Sequence, residues 1–187
     1  MTLLNWFDKG LTIEEYSNGM QVNQKEMNTI YDRFELHSSE LEQLEGLKSK
    51  NYKVIALTED WCGDAMVNNP ILLKIAEACN FDVRFLLRDQ NLELMDQYLT
   101  NGTSRAIPIY IFLDNEGKEK AVWGPRADKI QQLVQSLRSE LPEADAPEFK
   151  EQQMAMYKKL TTAFQEDESL WHEVAVSIIN KLTTTNN

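Results

Sequence analysis

The sequence predicts an α/β fold: a central mixed β-sheet flanked by helices, with additional helices at both ends of the chain. Two observations carry this. Between residues 52 and 141, short apolar runs rich in β-branched residues alternate with runs whose apolar residues recur at helical spacing. The last two strand-like runs, IPIYIFLD and EKAVW, flank the turn NEGK and so form a hairpin.

The elements follow in order. Met1 to about Lys50 reads helical. In NQKEMNTIYDRFEL, Met27, Ile30, Tyr31 and Phe34 make one apolar stripe. HSSELEQLEGLKSKN is a short helix capped by Ser38 or Ser39, with Leu41, Leu44 and Leu47 as its apolar face and Asn51 as its stop. YKVIALT suits a strand buried on both faces. CGDAMVNNPILLKIAEAC is a helix with Pro70 inside it, FDVRFLLRD a strand and NLELMDQYL a short helix. After the hairpin, Ile130, Leu133, Val134, Leu137 and Leu141 define a helix with one buried stripe. PEADAP is a linker. Two helices follow it, one with Phe149, Tyr157, Leu160 and Phe164 inward, the other with Trp171, Val174, Ile178 and Leu182 inward. TTTNN reads as a frayed tail.

Composition bounds the function. Hydrophobic residues at 42% support a real core. A net charge of −11 disfavours nucleic acid and anionic membrane as partners, since both are polyanions. The chain has no apolar run long enough for a transmembrane helix, and its first residues lack signal-peptide features, so the expected compartment is a reducing cytoplasm. Two cysteines make no disulfide framework.

Cys62 carries the candidate chemistry. It sits at a strand-to-helix junction, where unpaired N–H groups stabilise a thiolate. Glu59, Asp60 and Asp64 oppose this, because nearby carboxylates disfavour the thiolate, and Arg105 offsets them if folding brings it close. Cys79 falls on the apolar face of the same helix and reads as core. A rise of about 1.5 Å per residue puts it roughly 25 Å from Cys62, too far for a disulfide. His37 and His172 lie in different parts of the chain, and the His and Cys positions lack metal-ligand spacing, so no metal site is expected. No glycine-rich phosphate loop is present, and no cofactor is implied.

WCGDA resembles the WCGPC active site of thioredoxins, and the likeness extends along the chain. Pro70, eight residues after Cys62, takes the place of the proline that kinks the thioredoxin active-site helix. RDQN, Arg88 to Asn91, is similar to the stretch after that family's central strand. SRAIPIYIFLDNEGK resembles its RGIPT segment and the strand and turn beyond, which makes Pro108 the family's cis-proline and Gly124 its groove-bordering glycine. The tryptophan before Cys62 and the RAIP segment fit thioredoxins better than one-cysteine glutaredoxins. The likeness divides the chain into an N-terminal helical extension, 1–37, a thioredoxin-like domain, 38–142, and a C-terminal helical extension, 143–187.

The resemblance implies Cys62 as nucleophile and a substrate groove of Trp61, Gly63, Asp64, Ala65, Ile107, Pro108 and Gly124. The peptide groups around Ile107 would pair with an extended chain. Three departures bear on activity. Ala65 replaces the resolving cysteine, so an outside thiol must resolve any mixed disulfide. Ala56 replaces the buried acid, and Asp64 replaces the motif proline. The leading function is a monothiol redox protein forming mixed disulfides through Cys62 with protein thiols or a low-molecular-weight thiol; the alternative is a non-catalytic protein-binding module on the same scaffold. Dithiol reductase activity is not expected.

Overall fold

The computed structural model describes residues 1–185; of the expected frayed tail, Thr183 to Thr185 instead continue the last helix, and Asn186 and Asn187 lie outside the described residues. In chain order the elements are α1 (Leu3–Lys9), α2 (Ile13–Gly19), α3 (Gln24–Arg33), α4 (Ser38–Leu44), β1 (Lys53–Thr58), α5 (Gly63–Cys79), β2 (Asp82–Leu87), α6 (Leu92–Met95), β3 (Ile109–Leu113), β4 (Glu119–Trp123), α7 (Asp128–Ser139), α8 (Phe149–Glu166) and α9 (Glu168–Thr185). The strands form one mixed sheet in the order β2-β1-β3-β4. β1 and β2 are parallel, which requires a crossover, and α5 supplies it. β3 runs antiparallel to both β1 and β4. The β3–β4 turn is closed by the Asp114 carboxylate, which accepts from the N–H groups of Glu116 (3.0 Å) and Lys118 (2.9 Å).

Side chains alternate across a strand, so each strand feeds two cores. On one face Val54, Ala56, Tyr110 and Phe112 pack with α3, α5 and α7 to α9. On the other, Ile55, Leu57, Ile109, Ile111 and Leu113 pack with Trp6 and Phe7 of α1 and with Leu94 and Met95 of α6. The outer edge of β2 is covered too: Leu11 exchanges two backbone hydrogen bonds of 2.8 Å with Phe85.

The terminal helices belong to these cores. Trp171 of α9 is fully buried, and its indole N–H donates to the Phe164 carbonyl at 2.7 Å. Trp123 of β4 donates to Ser177 of α9 at 2.9 Å.

Several side chains differ from the sequence reading. The N-cap of α4 is His37, not Ser38 or Ser39. The last turns before β1 tighten into a 3₁₀ helix, Glu45–Lys50, and the buried stripe is narrower than read: Leu44 and Leu47 are buried while Leu41, in the first turns of α4, faces solvent. Tyr157 is exposed, and Met156, one position away, takes the inward place. Tyr31 lies at the rim, where its hydroxyl binds Glu77.

Gly124 shows how tightly β4 abuts β3. Its φ is +132°, and an added Cβ would lie 2.2 Å from the Pro108 carbonyl oxygen. A Cβ on Gly63 would meet nothing within 4 Å. Gly124→Ala is therefore expected to lower stability by about 2–4 kcal/mol, and Gly63→Ala to change it by less than about 1 kcal/mol. Urea unfolding of the two variants checks this contrast.

Candidate functional site

Sheet pairing brings the site together. Leu57, near the end of β1, is paired with Ile109, at the start of antiparallel β3. The segments beyond these residues, Glu59–Cys62 and Ile107–Pro108, therefore emerge at the same end of the sheet. The Ile107–Pro108 peptide bond is cis, as is Gly124–Pro125. Cys62 is the N-cap residue of α5, and its thiol donates to the Ile107 carbonyl at 3.5 Å. Cys62 is only 8% exposed, and Ala65 beside it is fully buried.

The charge environment of Cys62 differs from the sequence reading. Burial pushes its thiol up to about 11, and the Asp64 carboxylate adds to that rise. The N–H groups of Ala65 and Asp64, together with Arg126, oppose it without cancelling it. Arg126 grips Asp64 through two hydrogen bonds of 2.6 Å, and both side chains are mostly buried. Burial also raises the Asp64 carboxyl, and the Arg126 pairing pulls it back only in part.

Arg105 does not serve Cys62. Its guanidinium forms two hydrogen bonds to the exposed Asp96, at 2.6 and 2.9 Å. The neighbouring acids have structural partners as well. Glu59 is buried and accepts from the Asp89 N–H at 2.8 Å. Asp60 accepts from the N–H groups of Gln21 (2.7 Å) and Val22 (3.4 Å), and its carbonyl accepts from Asn23 Nδ2 at 2.8 Å. The loop between α2 and α3 thereby clamps the segment before Cys62.

Trp61 stands at the rim, 51% exposed, with the Arg88 guanidinium 4.8 Å from its ring centroid. Arg88 also donates to the Arg105 carbonyl at 3.1 Å, which joins the Trp61 rim to the segment leading into Pro108.

Behind Cys62 lies a buried polar cluster. Tyr110 donates to Asn69 Oδ1 at 2.8 Å, Asn69 Nδ2 donates to Thr58 Oγ1 at 3.0 Å, and the Tyr16 hydroxyl lies 3.4 Å from Thr58 Oγ1. Burial raises both phenols, Tyr16 to about 12. Ala56 is fully buried and paired with Tyr110 in the sheet. These groups are hydroxyls and an amide, none of which accepts a thiol proton at neutral pH.

Sequence reasoning missed Arg126, Asn69 and Tyr16. The signal for Asn69 was present: a buried amide in an otherwise apolar helix must find polar partners. Arg126 follows Gly124 by two residues, but only the fold shows that it reaches Asp64. Open hollows of about 570 and 600 Å³ flank β4, and neither is lined by Cys62 or Pro108.

A parallel-crossover sheet with a helix-capping cysteine facing a cis-proline defines a thioredoxin-class protein. A family model described as thioredoxin matches residues 10–138, well over half of the chain, and the protein belongs to the thioredoxin family. No curated protein matches. Among solved structures, the chain is similar to an HIV epitope scaffold, at 17% identity and a TM-score of 0.69 over 100% of this chain and 98% of that one. It is also similar to a protein of unknown function from Pseudomonas aeruginosa, at 18% identity and a TM-score of 0.65 over 95% and 97% of the two chains. At these identities the likeness speaks to fold alone. Among the described residues, no helix is long and apolar enough to cross a membrane.

Two outcomes follow from the charges. Asp64→Asn removes the carboxylate beside the thiol and frees Arg126 to favour the thiolate, so the Cys62 pKa should fall. Iodoacetamide alkylation at neutral pH should speed up by about tenfold per unit of that fall. Cys62 and Cys79 both rise from 9.0 to about 11 on burial. A raised thiol pKa contributes stability that is whole below the unfolded value and is lost as pH climbs through the folded one. Thermal scans should therefore show Tm falling between about pH 9 and 11.

Proposed function

We propose that the protein is a non-catalytic binding module on a thioredoxin scaffold, which takes an extended polypeptide segment along Trp61, Ile107 and Pro108. One observation carries the reading: the Cys62 thiol is buried, pushed up to about 11, and hydrogen-bonded to the Ile107 carbonyl. A thiol in that state is a poor nucleophile at neutral pH. The absence of a cysteine at position 65 and of an acid at position 56 removes the groups that would release a mixed disulfide. Recognition then rests on the exposed face of Trp61 and on backbone pairing with the Arg105–Ala106 segment that leads into the buried Ile107 and Pro108.

The second reading is a monothiol redox protein. It draws support from the Asp64 and Ala65 N–H groups, which stabilise a Cys62 thiolate once one forms. In that chemistry the thiolate attacks a disulfide sulfur, the other sulfur leaves as a thiolate, and an external thiol later displaces the bound partner.

Capture from cell extract separates the two. Immobilised wild-type protein and Cys62→Ala should retain the same partners, dithiothreitol should not release them, and Trp61→Ala should lose most of them. Loss of the partners in Cys62→Ala, together with a Cys62 adduct by mass spectrometry, would establish the redox reading instead.

A further inference from the structure

We propose that His37, Glu40 and His172 form a binding site for a divalent transition-metal ion of the zinc class, which staples the helices preceding the sheet to the last helix of the chain. The three residues come from separate places: His37 from the loop before α4, Glu40 from α4, and His172 from α9, 132 positions beyond Glu40. One ligand atom from each lies within 4.8 Å of the others. His172 Nδ1 is 3.0 Å from Glu40 Oε1 and 3.2 Å from Oε2. The two imidazole rings are stacked at 3.6 Å between centroids, 12° from parallel.

Glu40 is the anchor. It is 3% exposed, and a carboxyl group buried that deeply is held by hydrogen bonds or by a charge partner. The nearby Arg33 pairs with Glu168 and lies over the Trp171 ring, so it does not fill this role. What faces Glu40 instead is a pair of imidazoles. Two imidazole nitrogens and one carboxylate form the donor set that borderline ions such as Zn²⁺ prefer, whereas Ca²⁺ and Mg²⁺ call for oxygen donors. The surroundings hold the set in place. The His37 backbone N–H donates to Glu40 Oε2 at 2.7 Å, and Phe34 packs against the His172 ring at 5.1 Å.

Binding requires one movement. Parallel rings cannot direct lone pairs at a common point, so one imidazole must turn out of the stack. His37 is exposed and precedes the helix, so it is the ring that turns, giving up its stack on His172. Donor atoms around a tetrahedral zinc lie about 3.5 Å apart, so His172 and Glu40, at 3.0 Å, are already close enough, and the movement falls to His37. The exposed side leaves a coordination position for water, which makes this a surface staple and not a closed structural centre.

The test uses full-length protein without a histidine tag. Titration calorimetry with Zn²⁺ should show one equivalent bound, and Tm should rise by about 5–10 °C at a concentration a hundredfold above Kd. Co²⁺ should give visible d–d absorption without thiolate charge transfer, which keeps Cys62 and Cys79 out of the ligand set. His37→Ala removes an exposed side chain along with its stack on His172 and its place at the start of α4; it should fold at a slightly lower Tm, yet lower the affinity at least tenfold, and His37→Asn, which restores a capping side chain, should lower it as much. Absence of stoichiometric Zn²⁺ binding in the wild-type chain overturns the site, as does unchanged affinity in His37→Ala.

Discussion

Asn69 sits where four elements meet, and its amide decides how they fit. The side chain is fully buried in the middle of α5, so both of its ends must find partners inside the protein. Its carbonyl accepts from Tyr110 of β3, and its NH₂ donates to Thr58 at the end of β1, with Tyr16 of α2 completing the cluster. A rotation of α5 that broke these bonds would orphan buried groups at about 1–3 kcal/mol each. The cluster thereby sets the rotation of α5 against the sheet, and with it the position of Cys62 at the start of that helix. Pro70, the next residue, has no N–H to complete the helical ladder, so the helix is weakest where the side-chain bonds hold it best.

The chemistry of Cys62 follows from what lies beside this cluster. A thiolate needs either an exposed, electropositive setting or a base to take the proton. Cys62 has some of the first in two helix N–H groups, but Arg126 is largely committed to Asp64, and burial outweighs all three. The groups behind it are hydroxyls and an amide. The scaffold thus keeps the geometry of a thiol site while holding the thiol protonated. The same geometry leaves Trp61 exposed at the end of the sheet, while Ile107 and Pro108 beside Cys62 are buried.

The N-terminal helices and α9 do more than extend the domain. α1 covers one face of the sheet, Leu11 closes the edge of β2, and the α2–α3 loop ties down Asp60. α9 buries Trp171 against the opposite layer and brings His172 to Glu40. The family match takes in α2, α3 and the loop that holds Asp60, whereas α1, α8 and α9 lie outside it and still bury Trp6, Phe7, Phe164 and Trp171 in the cores.

The order of strands and helices, the α/β class and the place of Cys62 were all legible in the chain, because they rest on local periodicity and on residues whose backbone demands are their own, such as Pro70, Pro108 and Gly124. Side-chain partners were not legible, because a charge near in sequence is often far in space. Arg105 lies three residues before Pro108 yet binds Asp96, while Arg126, 62 positions from Asp64, closes on it. His37 and His172 looked unrelated until α4 packed against α9. Local sequence determined which elements form and where a thiol would stand. The tertiary structure alone decided whether that thiol is charged and which polar groups meet, since burial and Coulomb interactions depend on distances that only packing sets.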